Sequence, residues 1–543
     1  MMAPTFGSHT MDLNIVLFWS VLFFCLAGLG IALARLRWGG VGWAVLFVAI
    51  LLMDVAGSLG NIRALVFASV LAWLLLVLLP GMLARLYHRR IVEQRYPSAR
   101  RLAQVIACLH PADGWRQQPE VVKALELAQR GELSGALHVL RPLQTIKSVH
   151  GLGAMVIFFQ ISHQWDEFLV WQAKLPARLQ KQPQLLQTML RALGETGDRR
   201  GLVEFYQRHR QKIARLAPPA QRDIARLMLF AFCGRTQAVE RLFRGNLSRL
   251  PATTQEFWMA TSELAAGQPE AAQRRLQPLV AIDDARTRTS ALRRLAQLTS
   301  PPPLADPALE TVVNEAEIEQ AHDARFGARP TLFARQARAT QTLIALNLAM
   351  FGAEVLFGGS TNPATLYGLG ALSPSAVRAG EWSRLAISLF LHWGPLHLMM
   401  NMVGLWVLGP FVERALGSRR FFFLYLLAGL GSMGALVALA PPSSAELVAG
   451  ASGCIMGLVG ATGAIMLRGW LREKAFSAKR RLAGVVVIVA MQTAFDALIP
   501  QVSMTAHLSG AAIGFAIALL WRDRLGAENA QPAGRISPGS QSH

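Results

Sequence analysis

Ser452 lies in the run Gly450-Ala451-Ser452-Gly453, at the head of an apolar stretch. A hydroxyl between small residues at the start of a helix in hydrocarbon is costly to keep unless something uses it. Serine is a weak nucleophile alone and needs a neighbouring base to take its proton. His507 offers that base, in Ala506-His507-Leu508-Ser509-Gly510 with Gly514 beyond, where another apolar helix opens. A third segment carries His397 and Asn401, four positions apart and therefore on one helix face, where both can donate hydrogen bonds to a developing oxyanion. Three helices thus each bring one part of an acyl-transfer site.

Each part alone also has a structural reading. The glycine-flanked serine suits close helix packing, His507 suits a membrane interface, and His397 with Asn401 suits polar contacts between helices. Their conjunction, with all four side chains expected at one depth near the outer ends of their helices, favours the chemical reading. Gly453, Gly510 and Gly514, together with Gly457, are expected to let the helices carrying Ser452 and His507 approach closely.

The set resembles the rhomboid family of intramembrane serine proteases over roughly Arg335 to Leu525. The motifs that carry the resemblance are, in order, Glu381-Trp382-Ser383-Arg384, His392 with His397-Leu398-Met399-Met400-Asn401, Gly450-Ala451-Ser452-Gly453, and Ala506-His507 followed by Gly510 and Gly514. It implies a six-helix membrane core that cuts single-span transmembrane proteins near their outer juxtamembrane region. Ser452 and His507 would form the dyad, with His397 and Asn401 on the oxyanion, and no cofactor or metal is implied. The fifth core helix and the loop before His507 would act as a lateral gate. Substrates should carry helix-breaking or small residues, because an unwound backbone cannot be satisfied in hydrocarbon. Family members often have a tyrosine four residues after the nucleophile; this chain has Met456, whose thioether can fill the same space without the stacking. No acidic third member of a triad is evident. The alternative is a non-proteolytic rhomboid-like adaptor that binds transmembrane helices, against which the intact Ser452 and His507 argue.

These residues need a membrane scaffold, and the composition supplies one. Of 543 residues, 52% are hydrophobic and 16% charged, too apolar for a typical soluble chain and too polar for one made only of spans. An all-α, polytopic membrane protein with an additional water-exposed part follows. Three apolar segments open the chain, at Leu13 to Ala34, Val41 to Leu59 and Ala64 to Leu86, each near the length a bilayer requires. Six more are expected at Thr340 to Phe357, Pro395 to Val412, Phe421 to Leu439, Ser452 to Leu467, Leu482 to Ile499 and Thr505 to Trp521. Asp54 is expected at a membrane interface, as is Arg384, in a partly embedded loop with Trp382 and Phe390.

The net charge of +21 comes from arginines at span ends and on helical surfaces, without a base-reading motif, so no nucleic acid is expected. Arg35, Arg37, Arg85, Arg89 and Arg90 follow the first and third spans. Arg335, Arg338, Arg414, Arg419, Arg420, Arg468, Arg522 and Arg524 flank the later ones on the same side. The positive-inside rule then places the intervening domain in the cytoplasm, with the protein in a lipid bilayer that suits a bacterial inner membrane.

Five regions follow: residues 1–90 with three spans, a cytoplasmic α-helical repeat domain at 91–303, a charged linker at 304–338, the rhomboid-like domain at 339–525, and an unstructured tail at 526–543. Within the second, Gly131, Gly197, Gly234 and Gly267 recur at spacings of 66, 37 and 33, leading into Ala136 and Leu140, Leu202 and Phe205, Ala238 and Leu242, and Ala271 and Leu276 respectively. With an unmarked break near Gln164, this resembles about five helical hairpins of a tetratricopeptide-like solenoid, the alternative being a generic helical domain. The resemblance implies a protein partner. Gly151 to Phe159, only nine residues long, is expected as a buried core segment.

Overall fold

A computed structural model of the protein describes residues 13–34, 40–144, 149–180, 182–216, 218–298, 306–327, 337–442, 444, 446–498, 503–521 and 523–525. The expected tail at 526–543, and Arg35, Arg37, Arg335 and Arg522, lie outside the described residues. The fold is all-α. Among the described residues the extended pairing is a single antiparallel bridge, Leu372 with Val448. The chain divides into two compact units, with the boundary between Gln320 and Ala321.

In the unit ending at Gln320, apolar helices Leu13–Ala34 and Val41–Leu59 are followed by one continuous 30-residue helix, Arg63–Val92. That helix passes through a π-helical turn at Leu74–Leu78 just before Pro80, whose missing amide favours such a bulge. Asp54 does not face outward from the helices. It is fully buried and accepts a 2.6 Å hydrogen bond from Ser69 on the next helix, because a carboxylate among apolar helices needs a partner.

Beyond Val92 this unit is a run of mostly short helices. Gly131, Gly197, Gly234 and Gly267 have φ of 91°, 82°, 73° and 80°, and each turns one helix into the next. His163, between Val149–Ser162 and Trp165–Ala173, adopts φ 56°. Leu152, Ala154, Val156 and Phe159 are buried. Asp113 accepts from the amides of Gly42 and Trp43, capping the second apolar helix at its Val41 end. The stretch expected as a linker contains a helix, Pro307–Gly327. Its acidic face pairs with the arginine-rich surface through Arg235–Glu310, Arg241–Glu317 at 2.8 Å and Arg210–Glu319 at 2.8 Å.

Among the described residues, the unit from Ala321 holds six long helices: α1 (Arg338–Leu356), α2 (Gly394–Leu416), α3 (Ser418–Leu439), α4 (Ser452–Glu473), α5 (Phe476–Leu498) and α6 (Met504–Leu520). Helices α1 to α4 are long and apolar enough to span, as are Val41–Leu59 and Arg63–Val92 in the other unit. Among the remaining expected spans, α6 is a shorter apolar helix and the 23-residue α5 opens on Lys479, Arg480 and Arg481. Helix α4 is the centre: 78% of its apolar window is buried, against 22–44% for α1 to α3. Its Gly453, Gly457, Gly460 and Gly463 explain this, since small residues allow neighbours to reach the backbone.

Candidate active site

Ser452 is the first residue of α4 and His507 the fourth of α6, so both sit in opening turns. Ser503 caps α6 by accepting from the Ala506 amide at 3.2 Å, which starts the helix just ahead of the imidazole. Beyond that turn the two backbones are in contact. A Cβ at Gly510 would lie 2.3 Å from Gly453 O, one at Gly514 2.0 Å from Gly457 O, and one at Gly460 1.9 Å from Ala511 O. These approaches hold the opening turns side by side. At the other end Arg468 donates to Ala518 O, Leu519 O and Trp521 O at 2.8 to 3.0 Å, closing α6 with a side chain from α4.

His397 comes from the first turns of α2, after Gly394 (φ 79°) and Pro395. Its ring lies on the backbone just before Ser452: a Cβ at Gly450, φ 141°, would stand 2.7 Å from His397 Cε1 and 3.0 Å from Nε2. His397 also lies close enough to His507 for the two to interact electrostatically. The structure therefore brings Gly450, Ser452, His397 and His507 to one place. Asn401 is buried, and its Nδ2 donates back to His397 O at 3.0 Å, so that contact fixes the ring's own turn of helix. Among the described residues Ser452 Oγ makes no hydrogen bond, and the residue is partly accessible. Ser452 opens α4, and the first turn of a helix leaves its N–H groups without intrahelical partners.

Four residues take parts that sequence reasoning did not give them. His507 Nδ1 is 2.7 Å from Asp496 Oδ2, on α5, so an acidic partner for the histidine exists after all. The signal was a lone carboxylate in the last turn of an apolar helix. Glu354 of α1, also fully buried, accepts the backbone amide of His392 at 2.7 Å, just ahead of α2. His392 stacks edge-on to His397 with ring centroids 5.4 Å apart. Burial first, and then the neighbouring His397, push the His392 imidazole down to about 3, leaving it neutral. Arg384 is not an interfacial anchor: it is buried, bonded to Glu381 Oε2, Tyr367 O and Ala371 O at 2.6 to 2.9 Å, and lies 4.1 Å over the Tyr367 ring. It ties the loop after α1 into a knot beneath the exposed Trp382. Met456 is buried with Val459, Val485 and Ala511, where α4, α5 and α6 meet.

Comparison with known proteins agrees in extent. A Rhomboid domain matches residues 379–524, from the Arg384 knot through α6. The putative rhomboid protease YdcA of Bacillus subtilis is 30% identical over 144 residues, a match covering 26% of this chain and 69% of that protein. The chain belongs to the rhomboid family. Other rhomboid relatives include the rhomboid protease GluP of B. subtilis, 36% identical over 177 residues, and RHOMBOID-like protein 5 of Arabidopsis thaliana, 36% identical over 169. These matches span 32% and 30% of this chain, and 33% and 53% of the two relatives' own lengths.

Proposed function

We propose that this rhomboid is an intramembrane serine protease that cuts single-span transmembrane proteins near the outer membrane face. Ser452 is the nucleophile and His507 the general base, then acid. His397, Asn401 and the amides opening α4 stabilise the oxyanion. The observation that carries this reading is the backbone contact of α4 with α6 at Gly453–Gly510, which sets Ser452 and His507 on adjoining first turns beside the His397 ring. Attack by Oγ on a peptide carbonyl passes the hydroxyl proton to His507; collapse returns it to the leaving amine, and water reverses the sequence to free the acid. Positive helix ends and unpaired amides in a low-dielectric site suit the developing charge.

The test is labelling of the purified protein with a fluorophosphonate, which requires an activated serine. Wild type should label and Ser452→Ala should not; equal labelling of both would end the assignment.

The helical part of the first unit is cytoplasmic in this reading and recruits a protein partner through its hairpin surfaces. Asp113 supports the sidedness, because its cap sets the Val41 end of the second span against the same helices into which Arg63–Val92 leads. Exposed Cys108 reports on it. A membrane-impermeant maleimide should label Cys108 only after the inner membrane is permeabilised, and labelling of intact spheroplasts would reverse the orientation.

A further inference from the structure

Asp496 is 5% exposed, and its Oδ2 meets His507 Nδ1 at 2.7 Å. Gln492, one turn earlier on α5, sends Nε2 to Asp496 Oδ1 at 2.8 Å and comes within 3.3 Å of the same imidazole nitrogen. These contacts constrain where the protons sit. Were Gln492 to donate to Nδ1, that nitrogen would present a lone pair to a carboxylate oxygen at 2.7 Å, two acceptors facing each other away from water. A proton on the carboxyl instead would withhold it from imidazole, which is ordinarily the stronger base. With the proton on Nδ1, the short contact is donor to acceptor. The Gln492 amide then serves Oδ1, and Nε2 keeps its lone pair.

The placement carries a cost that argues for use. Asp496 is in the last turn of α5, where the helix carbonyls oppose a negative charge, and its immediate neighbours Ala494, Phe495, Ala497 and Leu498 are apolar. A residue serving only to pack α5 against α6 has no need of a carboxylate there.

We propose that Asp496 is a positioning residue for His507, holding the imidazole with Nδ1 protonated and Nε2 free to accept the Ser452 hydroxyl proton. The site then works as a serine–histidine–aspartate arrangement drawn from α4, α6 and α5. This rests on the roles given above to Ser452 and His507. As the Oγ–carbonyl bond forms, the Oγ proton moves to Nε2. The carboxylate stays ionised and stabilises the imidazolium through Nδ1–H. The Nε2 proton then leaves with the amine as the C–N bond breaks.

The first test is kinetic, on the full-length protein with a single-span substrate. Asp496→Asn keeps the volume but offers its amide N–H to Nδ1, favouring the wrong tautomer. It should lower kcat by about 10²- to 10⁴-fold with KM unchanged, and slow fluorophosphonate labelling in parallel. Asp496→Glu, which restores the carboxylate, should recover part of kcat. Wild-type kcat in a folded Asp496→Asn overturns the proposal. The second test needs no folded variant at Asp496: ¹⁵N-histidine NMR of the wild-type protein in nanodiscs, with His507 assigned by its loss in His507→Ala. The proton should be on Nδ1; a proton found on Nε2 overturns the proposal. The two readings fail separately. Activity surviving Ser452→Ala or His507→Ala sinks the dyad itself, whereas loss in both with full activity in Asp496→Asn sinks only the role of Asp496.

Discussion

A methyl group added at Gly510 would lie 2.3 Å from the carbonyl oxygen of Gly453, closer than any Cβ sits in a relaxed structure. Neither partner can yield by rotating a side chain, because both are backbone. Gly510→Ala must therefore push α6 off α4, and His507 stands one turn from the contact. Displacements near 1 Å between reacting groups cost about 100-fold in rate. We expect Gly510→Ala, and Gly514→Ala with its 2.0 Å approach to Gly457 O, to lose at least that much kcat/KM on a model substrate. Gly484→Ala, where nothing stands within 4 Å, is the control. Full activity in Gly510→Ala would show that the contact does not position His507.

Ser452→Ala and His507→Ala are each expected to abolish cleavage while leaving the protein folded. Asn401→Ala and His397→Ala should slow turnover by about 10- to 1000-fold, since each removes one of several donors to the oxyanion. The structure adds a distinction. Asn401 Nδ2 is already engaged with His397 O, so its loss also frees the turn that carries His397. The double variant should consequently be less than additive. Unchanged rates in both single variants would reduce the pair to packing.

Glu413 on α2 receives the amides of Ala339 and Thr340 at 2.9 and 2.8 Å, the Thr340 hydroxyl at 2.7 Å and the Ser418 hydroxyl at 2.7 Å. It caps α1 from outside and joins it to the α2–α3 turn. Removing a buried acceptor of this kind strands several donors, so Glu413→Ala should lose about 3 kcal/mol of stability or more. Thermal unfolding in detergent measures it, with Glu413→Gln intermediate. A transition at the wild-type temperature would show the cap to be dispensable.

His392 gives the pH dependence a sign. Its imidazole is held near 3 by burial and His397, below its ordinary value of 6.5, so folding excludes a proton that the unfolded chain accepts. The stability this represents is complete above pH 6.5 and is lost progressively as pH falls towards 3. His392→Gln should flatten the fall in unfolding temperature between pH 7 and 4. Parallel slopes for the two proteins would assign the acid sensitivity to other groups.

Family and architecture were legible because their signals are local. Apolar runs mark spans, and the order of the Trp382–Arg384, His397–Asn401, Ser452 and His507 motifs marks a rhomboid. What stayed hidden depends on partners far along the chain. Asp54 reads as an interfacial acid until Ser69 is seen beside it. Arg384 reads as a membrane anchor until the carbonyls of Tyr367 and Ala371 close around it. Asp496 reads as the end of an apolar helix until α6 brings His507 to it. The residues at 304–338 look like a linker by their charge, yet the acids on Pro307–Gly327 spell a helix once the arginines they face are known. Spacing finds a motif, but only packing finds the group across from it.

Truncation separates the unit that carries the proposed site from the rest, and the position of the cut matters. Asp323 accepts the Ser477 amide at 3.0 Å, Arg325 pairs with Glu473 at 2.8 Å, and Phe326 lies against Gly469, where a Cβ would meet its ring at 2.5 Å. Those three residues hold the turn between α4 and α5, which sets where α5 and Asp496 stand. A protein beginning at Ala321 keeps them and should retain cleavage of a model substrate in detergent, because every residue placed in the site lies beyond that point. One beginning at Pro330 lacks them, and should unfold at lower temperature and cleave more slowly. Equal behaviour of the two would show the Phe326 contacts to be idle. Complete loss of activity in a folded, monodisperse Ala321 protein would show that the first unit helps to form the site, and the division of labour between the two units would have to be given up.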